Sequence, residues 1–388
     1  MKILLLSYIN FEQPYGSHIR PYFLSKYLHE YGFDISVVCI KGEKSDYLNF
    51  IERKWLNSHP LIKYGCGLID LCKLIQKLDP DVVLAHESTN GLLASISRKF
   101  SKLGLFENKP VVVDFHGSTR FEALYNLPSS VSTDILITIS SVIEKVAISG
   151  SDLIITASDI IRNFLIYSYK IDINKVFTIP NGVSTEHFYP LPRTRILELR
   201  KNMGFNDKSV IVMSAPRRSL DSSDWSIKAI KVMYKVMSRL YNLRQDIILL
   251  VFGGGPIPYS PPPNVFFTGF VKDLNIFLNI ADLAIAPYPE NMVCGGARNK
   301  VLEYFACKVP VISTMSGMFG IPEAKPYVHY IPTTYDPEDI ANKILLTLDM
   351  DSESLLNIID NAYQLIITKY NWKKSAQILR DKLITLLK

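Results

Sequence analysis

No stretch of the 388-residue chain approaches the ~20 consecutive apolar residues that a membrane-spanning helix needs. The opening MKILLLSYIN carries one lysine and a short apolar run, with no small-residue cleavage site after it. It therefore reads as a buried strand rather than a signal peptide. Cysteines are few: Cys39, Cys66, Cys72, Cys294 and Cys307 are odd in number and include no C-x-x-C pair. Their spacing fits neither a zinc site nor a disulfide framework and points to a reducing cytoplasm. Long basic runs are missing too: 43 Lys and Arg against 37 Asp and Glu leave a net charge of +6. That excess suits an anionic substrate or a membrane surface and does not make nucleic acid the leading partner. There are no low-complexity segments or short-period repeats. Hydrophobic residues at 48% and charged residues at 21% argue against a disordered or fibrous chain.

The length suits two domains of roughly 190 residues each. Apolar runs recur in the first half at Ile3–Tyr8, Ile35–Ile40, Val82–His86, Val111–Phe115, Leu153–Ala157 and Val176–Ile179. Each is apolar nearly throughout, as a strand covered on both faces of a parallel sheet must be. Helical patterns lie between them, as in Ser17–Tyr31, where Ile19, Phe23 and Tyr27 share a face. The stretch FYPLPRTRILELRK, with Pro190 and Pro192, reads as a connector. Beyond it come Val210–Ser214, Ile247–Gly253, Val265–Thr268, Leu283–Ala286, Val309–Thr314 and Val328–Ile331, again separated by helical patterns. Alternation of this kind predicts two α/β domains, each a doubly wound parallel sheet, with boundaries at 1–190 and 191–370 and a closing helix over 371–388. Residues 352–388 read as two helices broken at Trp372. Two such domains are expected to face each other and bind ligands at the carboxyl ends of their strands.

Those strand ends carry the candidate chemistry. After the first strand, Gly16 and Ser17 open a helix whose free N–H groups suit a phosphate; Ser17 can also serve as a plain N-cap. His86 in AHESTNG and His116 in DFHGSTR end two successive strands and can bond sugar hydroxyls or move a proton. Arg217 and Arg218 follow a strand in the second half and supply forked donors for a diphosphate. Gly254, within Gly253-Gly254-Gly255-Pro256, allows close backbone approach. The richest segment is IADLAIAPYPENMVCGGARNKVLEYFACKVPVIST. There Gly295 and Gly296 precede a helix that starts near Arg298, with Lys300 and Glu303 close to its amino end. Arg298 and Lys300 add cations to an anion-binding helix terminus, and Glu303 can accept hydroxyl hydrogens from a ribose.

Here the sequence resembles the family-4 retaining glycosyltransferases of the GT-B fold. The matching stretches are ILLLSYINFEQPYGSHIRPYFLSKYLHEYGFDISVVC, SDLIITAS with VFTIPNGVSTEHFYP, and VFFTGFVKDLNIFLNIADLAIAPY running into GGARNKVLEYFACKVPVIST. They span nearly the whole chain in order. The resemblance implies two facing Rossmann-like domains, with the final helices crossing back onto the first. It implies that Glu303 holds a donor ribose while Arg298, Lys300 and Arg217 or Arg218 grip its diphosphate. Gly16 then lies under the diphosphate and His116 beside the transferred sugar, with the acceptor, glycan, lipid-linked or small, against the first domain. Many relatives have a glutamate eight positions before the one matched by Glu303; this chain has Gly295. Gly296, Arg298 and Lys300 match the Gly-x-Arg-x-Lys pattern of a subset.

The implied reaction is hexosyl transfer from a nucleotide-sugar with retention, with cations in place of a metal and no cofactor. The D-x-D form at Asp349–Asp351 is the shape of a metal site, but it sits between helical patterns, and Asp351 reads as an N-cap. A nucleotide-sugar epimerase and an inactive sugar-nucleotide-binding relative are the alternatives; an epimerase calls for carboxylates around the sugar, and the strand ends show few. The single glycine in PYGSH, where G-x-G-x-x-G is needed, argues against a nicotinamide-dependent dehydrogenase. Arg98, Lys99 and Lys102, flanked by Phe100 and Leu103, suggest a cytoplasmic protein held peripherally at the inner membrane face, or simply a solvated helix side.

Overall fold

The computed structural model describes residues 1–11, 16–42, 48–102, 108–217, 225–257 and 259–388, with the backbone alone at 17, 60–64, 101–102, 216–217 and 225. The chain divides into two compact units: Met1–Gly182 with Cys294–Ala297 and Trp372–Lys388, and Val183–Val293 with Arg298–Asn371.

The first unit contains β1 (Lys2–Leu6), α1 (Ile19–Glu30), β2 (Asp34–Cys39), β3 (Asn49–Glu52), α2 (Pro60–Leu78), β4 (Val82–His86), α3 (Ser88–Lys102), β5 (Val111–Phe115), α4 (Thr119–Asn126), α5 (Val131–Gly150), β6 (Leu153–Thr156), α6 (Asp159–Tyr169) and β7 (Val176–Thr178). The second contains α7 (Arg193–Asn202), β8 (Ser209–Arg217), α8 (Trp225–Leu243), β9 (Ile247–Gly254), β10 (Val265–Gly269), α9 (Leu274–Asn279), β11 (Leu283–Ala286), α10 (Asn299–Ala306), β12 (Val311–Ser313), β13 (Ile331–Pro332), α11 (Pro337–Leu348) and α12 (Ser352–Thr368). The last helix, α13 (Trp372–Leu386), belongs to the first unit.

The sheet orders are β3-β2-β1-β4-β5-β6-β7 and β10-β9-β8-β11-β12-β13. Every pairing is parallel. The two sheets thus repeat one doubly wound order. Each reverses direction once, between β1 and β4 and between β8 and β11, and a parallel open sheet binds ligands beyond the strand ends at that reversal.

The strands are buried on both faces, which explains their unbroken apolar runs. In the first unit Ile3, Leu5, Val37, Leu84 and Ile155 pack with Leu24 and Leu28 of α1. Trp372, Ala376, Leu379 and Leu383 of α13 join that core. Their spacing of three and four residues forms one helical stripe, and Trp372 stacks on Phe23 with ring centroids 5.8 Å apart. The second core sets Ile211, Leu249, Leu283 and Ile285 against Ile230, Met233 and Met237 of α8 and Ile340 and Ile344 of α11.

Three local expectations need correction. The connector reading ends at Pro192, which takes the N-cap position of α7; RTRILELRK is helical, as its Leu, Glu, Arg and Lys content favours. Strand β3 was not expected, because NFIE sits half exposed at a sheet edge with no apolar run to mark it. Ser17 is not the N-cap of α1. Gly16, at φ 57°, opens a 3-10 turn through His18, and His18 holds the cap position without a side-chain capping bond. Asp351 does cap α12, its carboxylate accepting from the Ser354 N–H at 2.8 Å. Asp349 pairs with Arg244.

Candidate functional site

In the second unit, the reversal point is built around Ser214. The ladder between β8 and β9 slips between Ser214 and Arg217, and side chains from α10 bond the Ser214 backbone. The Ser214 N–H donates to the Tyr304 hydroxyl at 2.8 Å, and Lys300 Nζ donates to the Ser214 carbonyl at 2.5 Å. The Ser214 hydroxyl is buried and has no hydrogen-bond partner among the described residues.

Arg298 occupies the N-cap position of α10. Its Nε donates to the Ser316 carbonyl at 3.0 Å and its Nη2 to the Met292 carbonyl at 3.1 Å, while its plane lies 3.6 Å from the Tyr288 ring centre. These contacts fix the guanidinium without a carboxylate partner among the described residues. Lys300 Nζ lies 5.3 Å from the same ring. Burial lowers the Lys300 ammonium to about 7, with Arg298 adding to the effect and Glu303 opposing it. Burial raises the Glu303 carboxyl to about 7, with Lys300 opposing. A cationic helix start with a carboxylate just beyond it suits a phosphate group joined to a polyol.

Arg217 ends β8, whereas Arg218 lies outside the described residues. Gly254 ends β9, and a Cβ there would fall 2.2 Å from the Phe270 ring. Packing of that ring accounts for this glycine without a ligand.

In the first unit, the reversal point gathers residues from three elements. Arg20 of α1 is 1% exposed, and its Nε donates to both Asp114 oxygens at 3.0 and 2.9 Å. Its Nη1 donates to the Ile179 carbonyl at 2.8 Å and to Asn181 Oδ1 at 3.2 Å. Burial alone would raise the Asp114 carboxyl, but Arg20 and His86 hold it well below the usual carboxylate range. The His86 ring meets the same carboxylate, Nδ1 to Oδ2 at 3.2 Å. An ionised carboxylate only accepts, so Nδ1 carries the proton. His116 sits beside His86, ring centroids 6.1 Å apart. Burial, reinforced by His86 and Arg20, pushes His116 down to about 3, so the ring is neutral at physiological pH.

Cys294–Ala297 groups with this unit. Ser158 Oγ donates to the Gly295 carbonyl at 2.7 Å, and Asn181 Nδ2 donates to the Ala297 carbonyl at 3.2 Å. A Cβ at Gly295 would fall 2.1 Å from the His116 carbonyl oxygen and 2.5 Å from Gly117 Cα. Only glycine fits, which gives a steric reason for the missing glutamate. Gly296 is similarly enclosed, a Cβ meeting Ala157 at 2.8 Å.

Sequence reasoning placed His86, His116, Arg298, Lys300 and Glu303 at these strand ends and missed Arg20, Asp114, Glu87, Tyr288 and Tyr304. One signal was available: Asp114 is the lone acid in the apolar run VVVDF, and a buried charge requires a partner. Among the described residues no helix is long and apolar enough to cross a membrane.

Comparison with known proteins agrees with this fold. The Glycosyltransferase Family 4 model matches residues 16–187, and the Glycosyl transferases group 1 model matches residues 220–350. No curated protein sequence matches. Among solved structures, a glycosyltransferase from Rickettsia africae ESF-5 is 18% identical, with 100% of this chain and 98% of that one covered at TM-score 0.74. Sucrose-phosphate synthase from Thermosynechococcus elongatus is 17% identical over 99% and 98% of the two chains, with TM-score 0.77. HepE from Anabaena, in complex with UDP and glucose, is 14% identical over 99% and 100%, with TM-score 0.73. With its amino-terminal part matched by one model and its carboxyl-terminal part by the other, on a pair of doubly wound sheets, the chain belongs to the family-4, group-1 glycosyltransferases of the GT-B fold.

Proposed function

We propose that the chain transfers a hexosyl group from a nucleoside-diphosphate sugar to a hydroxyl of a glycan, a lipid-linked sugar or a small molecule, with retention and without a metal ion. The observation that carries this reading is the start of α10, where Arg298 and Lys300 stand ahead of Glu303 beside the end of β8. As the bond from the anomeric carbon to the diphosphate breaks, negative charge grows on the leaving group. Preorganised cations and helix N–H groups stabilise it without reorganising. Glu303 accepts hydrogens from the donor ribose. The neutral His116 of the first unit is suited to bond a sugar hydroxyl. HepE in complex with UDP-glucose and an Escherichia coli protein bound with UDP-2-fluoro glucose support a nucleotide-sugar donor for this fold.

The test is a thermal-shift panel of UDP-, GDP-, ADP- and dTDP-sugars, since a ligand bound only by the native state raises the melting temperature. At least one should raise it for the wild type and none for the Arg298→Ala, Lys300→Ala double variant. Equal shifts in both proteins would remove the donor assignment. EDTA should leave turnover unchanged.

A second reading has an observation of its own. Glu87 and Asp114 lie beside His86 in the first unit, the kind of acid–base cluster a nucleotide-sugar epimerase uses. Incubating the donor alone and looking for a new sugar isomer separates the two.

A cytoplasmic protein held peripherally at a membrane is also part of this proposal. Arg98 contributes little, being bound to Asp152 at 2.6 Å and to the Gly150 carbonyl, and Leu103 lies outside the described residues. Better support comes from α5, where Val131, Ile135, Ile139 and Val142 are exposed along one face. Co-sedimentation with phosphatidylglycerol vesicles checks it.

A further inference from the structure

Helix α5 has one side committed and one side bare. Thr133, Ser140, Glu144, Ala147 and Ile148 are buried, and Ser95 of α3 donates to the Ala147 carbonyl at 3.0 Å. On the opposite side Val131, Ile135, Ile139 and Val142 are 54–78% exposed. A surface helix ordinarily turns its polar residues outward. Here Thr133, Ser140 and Glu144 go inward while valines and isoleucines stay out.

The bare side has the pattern of a seam. Positions 131, 135, 138 and 142 step by four and three, the spacing that meets a second helix. Thr138 is the polar member, and its hydroxyl donates to the Asp134 carbonyl at 2.8 Å. It therefore offers the seam a methyl group and no unmet polar atom. Leu124, Tyr125 and Leu127, also exposed, adjoin the seam across the turn from α4 to α5. Together these side chains leave roughly 750 Å² open, above the usual ~300–600 Å² for the largest patch of a monomer and close to the ~800 Å² each partner gives to a stable interface.

We infer that this face binds the same face of a second copy of the chain, the two α5 helices running antiparallel about a two-fold axis level with Ile139. The charges select that occupant. The exposed side of α5 carries Asp134 and Lys145, neither of them in an ion pair among the described residues. They stand three turns apart, about 16 Å along the axis, and so share one flank of the helix. Antiparallel two-fold pairing brings like flanks together, so Asp134 meets the partner's Lys145 and Lys145 meets the partner's Asp134. The same axis sets Ile135 against the partner's Val142 and Val131 against the partner's Val146. An interface between identical faces requires self-complementarity of this kind, and a parallel pairing would leave both charges unmet.

A bilayer is the other occupant open to an apolar helix face. It calls for lysines or arginines along the rim, and α5 offers Lys145 alone, against Asp134. On this inference the face named above in support of a membrane contact is covered by the second copy instead.

Sedimentation velocity on the full chain, with and without phosphatidylglycerol vesicles, tests it. At about 50 μM the wild type should run at twice the chain mass, as a micromolar or tighter Kd requires. Ile139→Asp puts two carboxylates at the axis and should run as a monomer. Its melting temperature at low concentration should match the wild type, because Ile139 is already half exposed in the single chain. Asp134→Lys and Lys145→Asp should each raise Kd by about tenfold or more, since like charges then face each other. Mixed in equal amounts, those two variants should pair with each other as tightly as the wild type, every facing pair being Lys with Asp again. A wild type that stays monomeric overturns the inference, and if it then binds vesicles that Ile139→Asp does not, the bilayer is the occupant. A dimer that persists in Ile139→Asp, or charge variants that do not recover on mixing, also overturn it. Ile139→Asp should bind nucleotide-sugars as the wild type does, so the transferase reading stands or falls separately.

Discussion

The two units share one strand order, yet their strand ends treat charge in opposite ways. In the first, Arg20 is enclosed and its charge is met by Asp114, so the cation is structural. In the second, Arg298 is held by two carbonyl oxygens and a tyrosine face, contacts that orient a cation without cancelling it. On the proposed reading one fold takes two tasks: topology fixes where a ligand sits, and the partner given to each arginine fixes what kind.

The sharpest way to break this contrast is to remove each arginine. Arg20→Ala leaves Asp114 as an uncompensated buried charge and should destabilise the first unit by about 3–5 kcal/mol, read by chemical denaturation. Arg298→Ala should barely change stability but cost about 2.7–4 kcal/mol in turnover, the usual loss for one donor to a developing anion. If both variants lose stability alike, the distinction between a structural and a ligand-binding arginine fails.

Smaller effects sharpen the comparison. Glu303→Gln removes a charged hydrogen-bond acceptor and should weaken donor binding by about 1.5–3 kcal/mol, measured by calorimetry. Both Glu303 and Lys300 titrate near 7, with opposite consequences. On the proposed donor site, ionisation of Glu303 should strengthen ribose binding as pH rises through 7, and deprotonation of Lys300 should weaken diphosphate binding over the same range. Affinity should therefore peak near pH 7. Glu303→Gln should flatten the acid side and Lys300→Arg the alkaline side. The smallest effect is expected at Asp351→Ala, a slightly lower melting temperature from the lost cap of α12, with turnover the same with or without added magnesium.

Much of this was legible in the sequence. Doubly covered strands such as Val111–Phe115 are unmistakable because burial on both faces leaves no polar alternation. Gly295, Gly296, Arg298, Lys300 and Glu303 announce a helix terminus by spacing alone. What escaped was what depends on distant partners. Arg20 lies among aromatic residues of α1, and nothing local says that it reaches Asp114 and the Ile179 carbonyl. Glu87 reads as an ordinary polar residue after a strand, because neither its left-handed backbone nor its neighbours is written in the residues beside it. Helix α7 was missed for a simpler reason: it buries only Leu199, so it has no apolar stripe to reveal its period.

The return of α13 to α1 has a consequence for how the chain comes to be folded. Domains emerging from a ribosome ordinarily close in the order of their synthesis. Here the first unit lacks Trp372, Ala376, Leu379 and Leu383 until the second unit has been translated. Phe23 gains the Trp372 ring it stacks on only after that, so of the two units the one begun earlier is completed later.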